Sequence, residues 1–170
     1  MPRNSLRTLQ MSEFLKPEGA LAGGARSIEQ ILAEEGSYAS LTDGVSMRPL
    51  FKTHRDMVVL RPVDRQIRKY DVVLYRVGEK YILHRVIGFK GDSLVIRGDN
   101  TFTREIVGRS AVIARLVSFN RKGKHGDAQS LGYKLYSRLW TFIYPIRYCL
   151  YALKRILTRI KRTIIRKKEK

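Results

Sequence analysis

Three side chains of different chemistry could together make one alcohol reactive. A serine hydroxyl is a weak nucleophile until a neighbouring base takes its proton, and an imidazole base is commonly held in one tautomer by a carboxylate. Residues 44–100 supply one candidate for each role. Ser46 lies in Gly44-Val45-Ser46-Met47-Arg48-Pro49, His84 in Ile82-Leu83-His84-Arg85-Val86-Ile87-Gly88, and Asp99 in Arg97-Gly98-Asp99-Asn100. Each also has a plainer reading. A strand histidine is more often structural than catalytic, and Asp99 could close a turn with its own side chain. His54 and His125 are expected in loops, and no His, Cys or carboxylate cluster has metal-ligand spacing, so no metal and no cofactor is expected;.

The positions of Ser46 and His84 in the chain let them meet only if strands fold back on one another. The sequence offers such strands. Asp56–Leu60 and Asp71–Tyr75 are short β-branched runs, separated by Pro62 and a polar segment from Asp64 to Lys69;. Tyr81–Ile87, Ser93–Ile96 and Val112–Phe119 add three more, with Gly91-Asp92 as a hairpin turn. Upstream, Ser27-Ile28-Glu29-Gln30 reads as a capping box opening a helix over Ile28–Glu35 that ends at Gly36, with Ile28, Ile31 and Leu32 on its buried face;. Tyr38–Thr42 then reads as a strand delivering the chain to Ser46. In the serine box Gly44 permits a turn closed to bulkier residues, Pro49 fixes the exit, and the amides of Ser46 and its neighbours are candidates for an oxyanion hole. Many short strands at this spacing predict a mainly β, closed or strongly coiled structure.

The four blocks from Gly44 to Asn100, in this order and spacing, resemble the signal peptidase superfamily, which also contains self-cleaving repressors of the bacterial DNA-damage response. The blocks are the serine box, Asp56-Met57-Val58-Val59-Leu60, Asp71-Val72-Val73-Leu74-Tyr75, and His84-Arg85-Val86-Ile87-Gly88 followed by Gly98-Asp99-Asn100. The resemblance implies a coiled antiparallel β-fold and a serine peptidase cutting after small residues, with Met47 beside the substrate cleft. For Met47, plain core packing is an equal alternative. Bacterial relatives of this type carry a lysine where this chain has His84. The histidine is similar to the archaeal and endoplasmic-reticulum variant, in which serine, histidine and aspartate cooperate, and an imidazole needs less desolvation than a lysine to act as base near neutrality. Two further departures concern turns. Where the family has Gly-Asp pairs before its strands, this chain has Arg55-Asp56 and Tyr70-Asp71.

At 170 residues and 44% apolar composition the chain suits one domain with appendages;. A loose leader is expected over 1–26, with a short helix possible from Met11 to Leu15 and no apolar run of the kind a secretory signal has;. A catalytic domain over 27–120 follows, then a polar linker over 121–132 and a basic amphipathic helical tail over 133–170. The single cysteine, Cys149, forms no intrachain disulfide and is expected to be a small buried apolar residue;.

Charge is concentrated at the C-terminal end. Residues 120–170 hold fifteen Lys and Arg but only Asp127 and Glu169, so they carry thirteen of the nineteen net positive charges. Leu139, Ile143, Ile146, Leu150, Leu153, Leu157, Ile160 and Ile164 recur at steps of four and three on one helical stripe, with Pro145 as a kink;. Arg147, Lys154 and Arg155 interrupt every window long enough to span a bilayer, which disfavours a span;. The tail is expected to lie on an anionic membrane surface, with Trp140, Arg147, Lys154, Arg155, Lys161 and Arg162 as contacts; packing on protein is the alternative and nucleic acid the least favoured partner.

The resulting expectation is a cytoplasmic, peripherally membrane-associated serine endopeptidase using Ser46, His84 and Asp99 on a leader or signal-like peptide. A self-cleaving repressor-like regulator and a catalytically silent peptide-binding module are the alternatives. The oligomeric state is not readable from the sequence.

Overall fold

The computed structural model describes the backbone of residues 26–168 and the side chains of residues 26–158. The expected leader, with its Met11–Leu15 helix, lies outside the described residues apart from Arg26. The fold is mainly β. A helix, α1 (Ile28–Glu35), precedes eight strands: β1 (Tyr38–Leu41), β2 (Met57–Pro62), β3 (Val72–Val77), β4 (Lys80–Lys90), β5 (Ser93–Arg97), β6 (Glu105–Val107), β7 (Val112–Arg121) and β8 (Lys124–Asp127). Two helices close the chain, α2 (Leu131–Phe142) and α3 (Tyr144–Lys168). The strands form one antiparallel sheet in the order β1-β2-β7-β3-β4-β5-β6, with β8 paired to β7.

The N-terminal helix starts and stops where local chemistry dictates. The Ser27 hydroxyl accepts from the Gln30 amide while the Gln30 side chain accepts from the Ser27 amide, and Gly36 takes the left-handed conformation that ends the helix;. Tyr81 then ties α1 to β4 by donating its hydroxyl to Glu29 at 2.5 Å.

Strand β3 explains how one sheet makes two cores. Val72, Val73, Leu74 and Tyr75 are all buried, and alternation sends Val72 and Leu74 into a cluster with Leu60, Leu116 and Phe51;. Val73 and Tyr75 enter a second cluster with Val86, Leu94 and Ile96 on the opposite face. Both faces of this central strand are therefore covered. Register shifts interrupt the sheet at Val59/Leu60, Leu74/Tyr75 and Val86/Gly88, where a bulge bends the strand;. Asp56 anchors the entry to β2: it accepts from Arg55 and from the amides of Lys52 and Lys122, which together hold its carboxyl down at about 2 despite burial;. Tyr70, where the resemblance would place glycine, keeps a left-handed φ of 79° without one;.

Two expectations about the C-terminal part require correction. Residues 121–132 are not a linker: β7 runs to Arg121, Lys122 and Gly123 both take positive φ, and β8 returns along β7. A two-residue turn with positive φ at both positions matches the natural twist of a hairpin, and its polar composition mimics a linker. The tail is also two helices. The first ends at Phe142, and Pro145 sits in the first turn of the second, where its missing amide costs nothing;.

Candidate active site

Adjacent residues of β4 point to opposite faces of the sheet, and this alternation decides what each candidate meets. His84 pairs with Val73 of β3 and shares its face with Tyr75;. Its Nδ1 lies 3.1 Å from the Tyr75 hydroxyl and 3.3 Å from Glu105 Oε1, while Tyr75 donates to Glu105 Oε2 at 2.6 Å. With the phenolic proton given to the carboxylate, Nδ1 faces two acceptor oxygens and must itself carry a proton. That tautomer leaves the lone pair on Nε2. Burial pushes the imidazole below its ordinary pKa and Glu105 only partly offsets this, so the ring is neutral at pH 7 and able to accept a proton;. Burial, reinforced by Glu105, raises the Tyr75 phenol far above its usual range and keeps it a donor.

The other nitrogen faces the serine loop across Gly98. A Cβ at Gly98 would stand 3.0 Å from His84 Nε2 and 2.7 Å from the Ser46 carbonyl oxygen, so only glycine lets the imidazole and the serine loop approach this closely;. The next residue but one fastens the loop. The Asn100 amide donates to the Ser46 carbonyl at 2.7 Å and its side chain to the Val45 carbonyl at 3.2 Å. Thr53 adds a hydroxyl bond to the Gly44 carbonyl. Ser46 itself is partly exposed, and no hydrogen bond joins its Oγ to His84. Unliganded serine-base pairs are often looser than in the reacting complex. The amides of Gly44 and Arg48 are taken by Asp43 and Val45, whereas those of Ser46 and Met47 donate to no protein acceptor among the described residues. Those two amides are therefore available to an oxyanion.

Asp99 does not hold the imidazole. It lies on the opposite face with Arg85, which donates to its two oxygens at 2.7 and 2.8 Å, and Tyr136 adds a third bond. The third guanidinium nitrogen of Arg85 donates to Ser137 and the Tyr70 carbonyl. Asp99, expected to orient the imidazole, is thus committed to Arg85, and the carboxylate beside His84 is that of Glu105. The sequence reading missed Glu105 and Tyr75. The only local signals were the short Glu105-Ile106-Val107 run and the place of Tyr75 at period two from Val73.

Ser46 borders a cleft of about 360 Å³, lined largely by apolar side chains from β1, β4, the serine loop and the sheet floor. Met47 is buried in the first core cluster and also lines this cleft. Two strand edges open onto it. Strand β1 ends the sheet, and β4 has no β5 partner before Arg85. An extended peptide could hydrogen-bond to either edge beside Ser46. Among the described residues no group of three His, Cys, Asp or Glu is placed to hold a metal ion.

Of the expected membrane contacts, Trp140 and Arg147 are docked on the body. Both donate to the Asp99 carbonyl at 2.9 Å, and the guanidinium lies 3.8 Å over the indole ring. Tyr144, Tyr148 and Tyr151 pack around Phe102. Lys154 and Arg155 are exposed; the side chains of Lys161 and Arg162 lie outside the described residues. Cys149, expected to be buried, is exposed on α3.

Neither a scan against protein-family models nor a search of curated proteins returns a match to this chain.

Proposed function

We propose that this chain is a serine endopeptidase of signal-peptidase-like type, acting on an extended peptide seated between β1 and β4. Ser46 Oγ attacks the scissile carbonyl carbon as its proton passes to His84 Nε2, and the amides of Ser46 and Met47 hold the developing oxyanion. The imidazolium returns that proton to the leaving amine as the C–N bond breaks. Water then repeats the sequence on the ester and frees the acid and Ser46. Glu105 and Tyr75 keep the ring oriented and stabilise its transient charge.

The observation carrying this reading is the orientation of His84: the proton side is fixed by Glu105 and Tyr75, and the lone-pair side is turned to the serine loop across Gly98. The resemblance around Ser46 adds small side chains near the cut as the expected specificity. Digestion of a peptide library by the native chain and by Ser46→Ala tests it. The variant retains the fold and loses turnover; unchanged cleavage would remove Ser46 from the reaction.

A peptide-binding module without turnover is favoured by one observation, the missing bond between Ser46 Oγ and the imidazole. A serine-reactive probe separates the two readings. Labelling that disappears in His84→Ala marks an activated nucleophile, whereas no labelling leaves a binding groove.

A further inference from the structure

The outward face of the two C-terminal helices is unlike the rest of the surface. Leu131, Leu135, Leu139 and Phe142 on α2 continue into Ile146, Leu150, Leu153 and Leu157 on α3 at steps of four and three, and each is more than half exposed. The two helices bury their opposite sides. Tyr133, Ser137 and Trp140 of α2 face the body, as do Tyr144, Arg147 and Tyr148 of α3. Docking therefore turns the aliphatic stripe outward, leaving a contiguous apolar patch of the kind that marks an interaction surface.

Beside the first half of the stripe lies a basic hollow of about 240 Å³ between α2 and the β2–β3 loop, lined by Arg65, Arg68, Lys69, Lys134 and Arg138. Asp71 also borders it, but its oxygens are occupied by Arg65 at 2.9 Å and by the Arg68 amide at 2.8 Å. The side chains of Arg68, Lys69, Lys134 and Arg138 have no carboxylate at ion-pair distance among the described residues. Lys134 and Arg138, one helical turn apart, stand on the flank of α2 between the apolar stripe and the buried face.

We propose that this stripe and hollow together form a docking surface for an anionic phospholipid bilayer, with the leucines and Phe142 among the acyl chains and headgroup phosphates in the hollow. The cations sit where the headgroup layer would be if the stripe entered the apolar region. Charge decides against a second copy of the chain as the occupant. No acidic residue occurs from Leu131 to Lys168, so two such faces would meet cation to cation. A nucleic acid would satisfy the cations and leave eight exposed apolar side chains unused. The proposal is independent of the peptidase reading.

Co-flotation of the full chain with vesicles tests it. Vesicles of phosphatidylcholine containing phosphatidylglycerol should carry the protein, and vesicles of phosphatidylcholine alone should not. The triple variant Arg68→Gln, Lys134→Gln, Arg138→Gln, whose changes are all on exposed side chains, should lower the partition coefficient on the order of a hundredfold. Leu135→Gln with Phe142→Gln should also weaken binding and leave the remainder more sensitive to salt. Equal flotation with neutral vesicles overturns the proposal, as does a triple variant that binds like the wild type while neutralising Lys161 and Arg162 abolishes binding. Light scattering that shows a dimer broken by Phe142→Gln, or DNA retention without flotation, assigns the surface to another occupant.

Discussion

Strand β4 carries two ion clusters back to back, built from neighbouring residues and opposite in character. On one face Arg85 and Asp99 form a closed pair, their side chains 1% and 3% exposed, with each guanidinium nitrogen bonded to Asp99, Ser137 or the Tyr70 carbonyl. On the other, His84 keeps one nitrogen uncommitted, and its carboxylate partner Glu105 is about a third exposed. A buried pair whose charged atoms are all bonded resists change; an imidazole with one nitrogen unbonded keeps a place where a proton can be accepted. The contrast teaches that burial and charge alone do not mark a reactive group. Unused hydrogen-bonding capacity does.

Substitution at the two carboxylates separates these roles. Asp99→Asn leaves a buried guanidinium without its counter-charge, and unfolding in denaturant should show a loss of about 3–5 kcal/mol. Activity per folded molecule should survive. If Asp99→Asn instead keeps full stability and loses turnover, the comparison is reversed and Asp99 is the orienting group.

Glu105→Gln should behave in the opposite way, with a near-normal midpoint of unfolding and kcat lowered about a hundredfold. The reason is tautomeric. Without the carboxylate, the Tyr75 proton is free to point at Nδ1 and to drive the imidazole proton onto Nε2, where it blocks the base. The pH profile sharpens this. Burial holds the His84 pKa below its ordinary value, so kcat/KM for the native chain should fall on the acid side with a midpoint below about 6.5;. Glu105 raises that pKa, and its removal should move the acid limb further down. An upward move would mean that Glu105 does not act on the ring.

The resemblance of the Gly98-Asp99-Asn100 block pointed to Asp99, and one extra residue in β4 turns that carboxylate away from His84. The hairpin turn at Gly91-Asp92 is legible, and the pairing of Lys90 with Ser93, carried back without interruption, sets His84 opposite Asp99 on the same face. The strand does not continue that way. A register shift between Val86 and Gly88 moves the pairing by one, so that Arg85 faces Arg97, Gly98 comes to His84, and Asp99 turns to the other side;. Period-two patterning reveals strands and faces but not a bulge within an apolar run. The same limit applies to the tail. Its amphipathic stripe was legible, whereas the docking of Trp140 and Arg147 on the Asp99 carbonyl depends on a tertiary contact. The capping box of α1 needed no such contact, and the structure keeps the boundaries that local chemistry predicts.

Tyr75→Phe probes the smallest difference between the two faces. The phenol touches both His84 and Glu105, so it could be the main orienting contact or only a brace between them. In the phenylalanine variant Nδ1–H retains Glu105 Oε1 as an acceptor, and the tautomer needed for catalysis persists;. The carboxylate also loses its bond from the phenol, which strengthens its pull on the imidazole proton and should raise the His84 pKa. A brace therefore predicts a kcat reduced no more than about tenfold, roughly 1.4 kcal/mol, with the acid limb moved upward. A loss as large as that of Glu105→Gln, with the limb unmoved, would make the phenol rather than the carboxylate the group that fixes the ring.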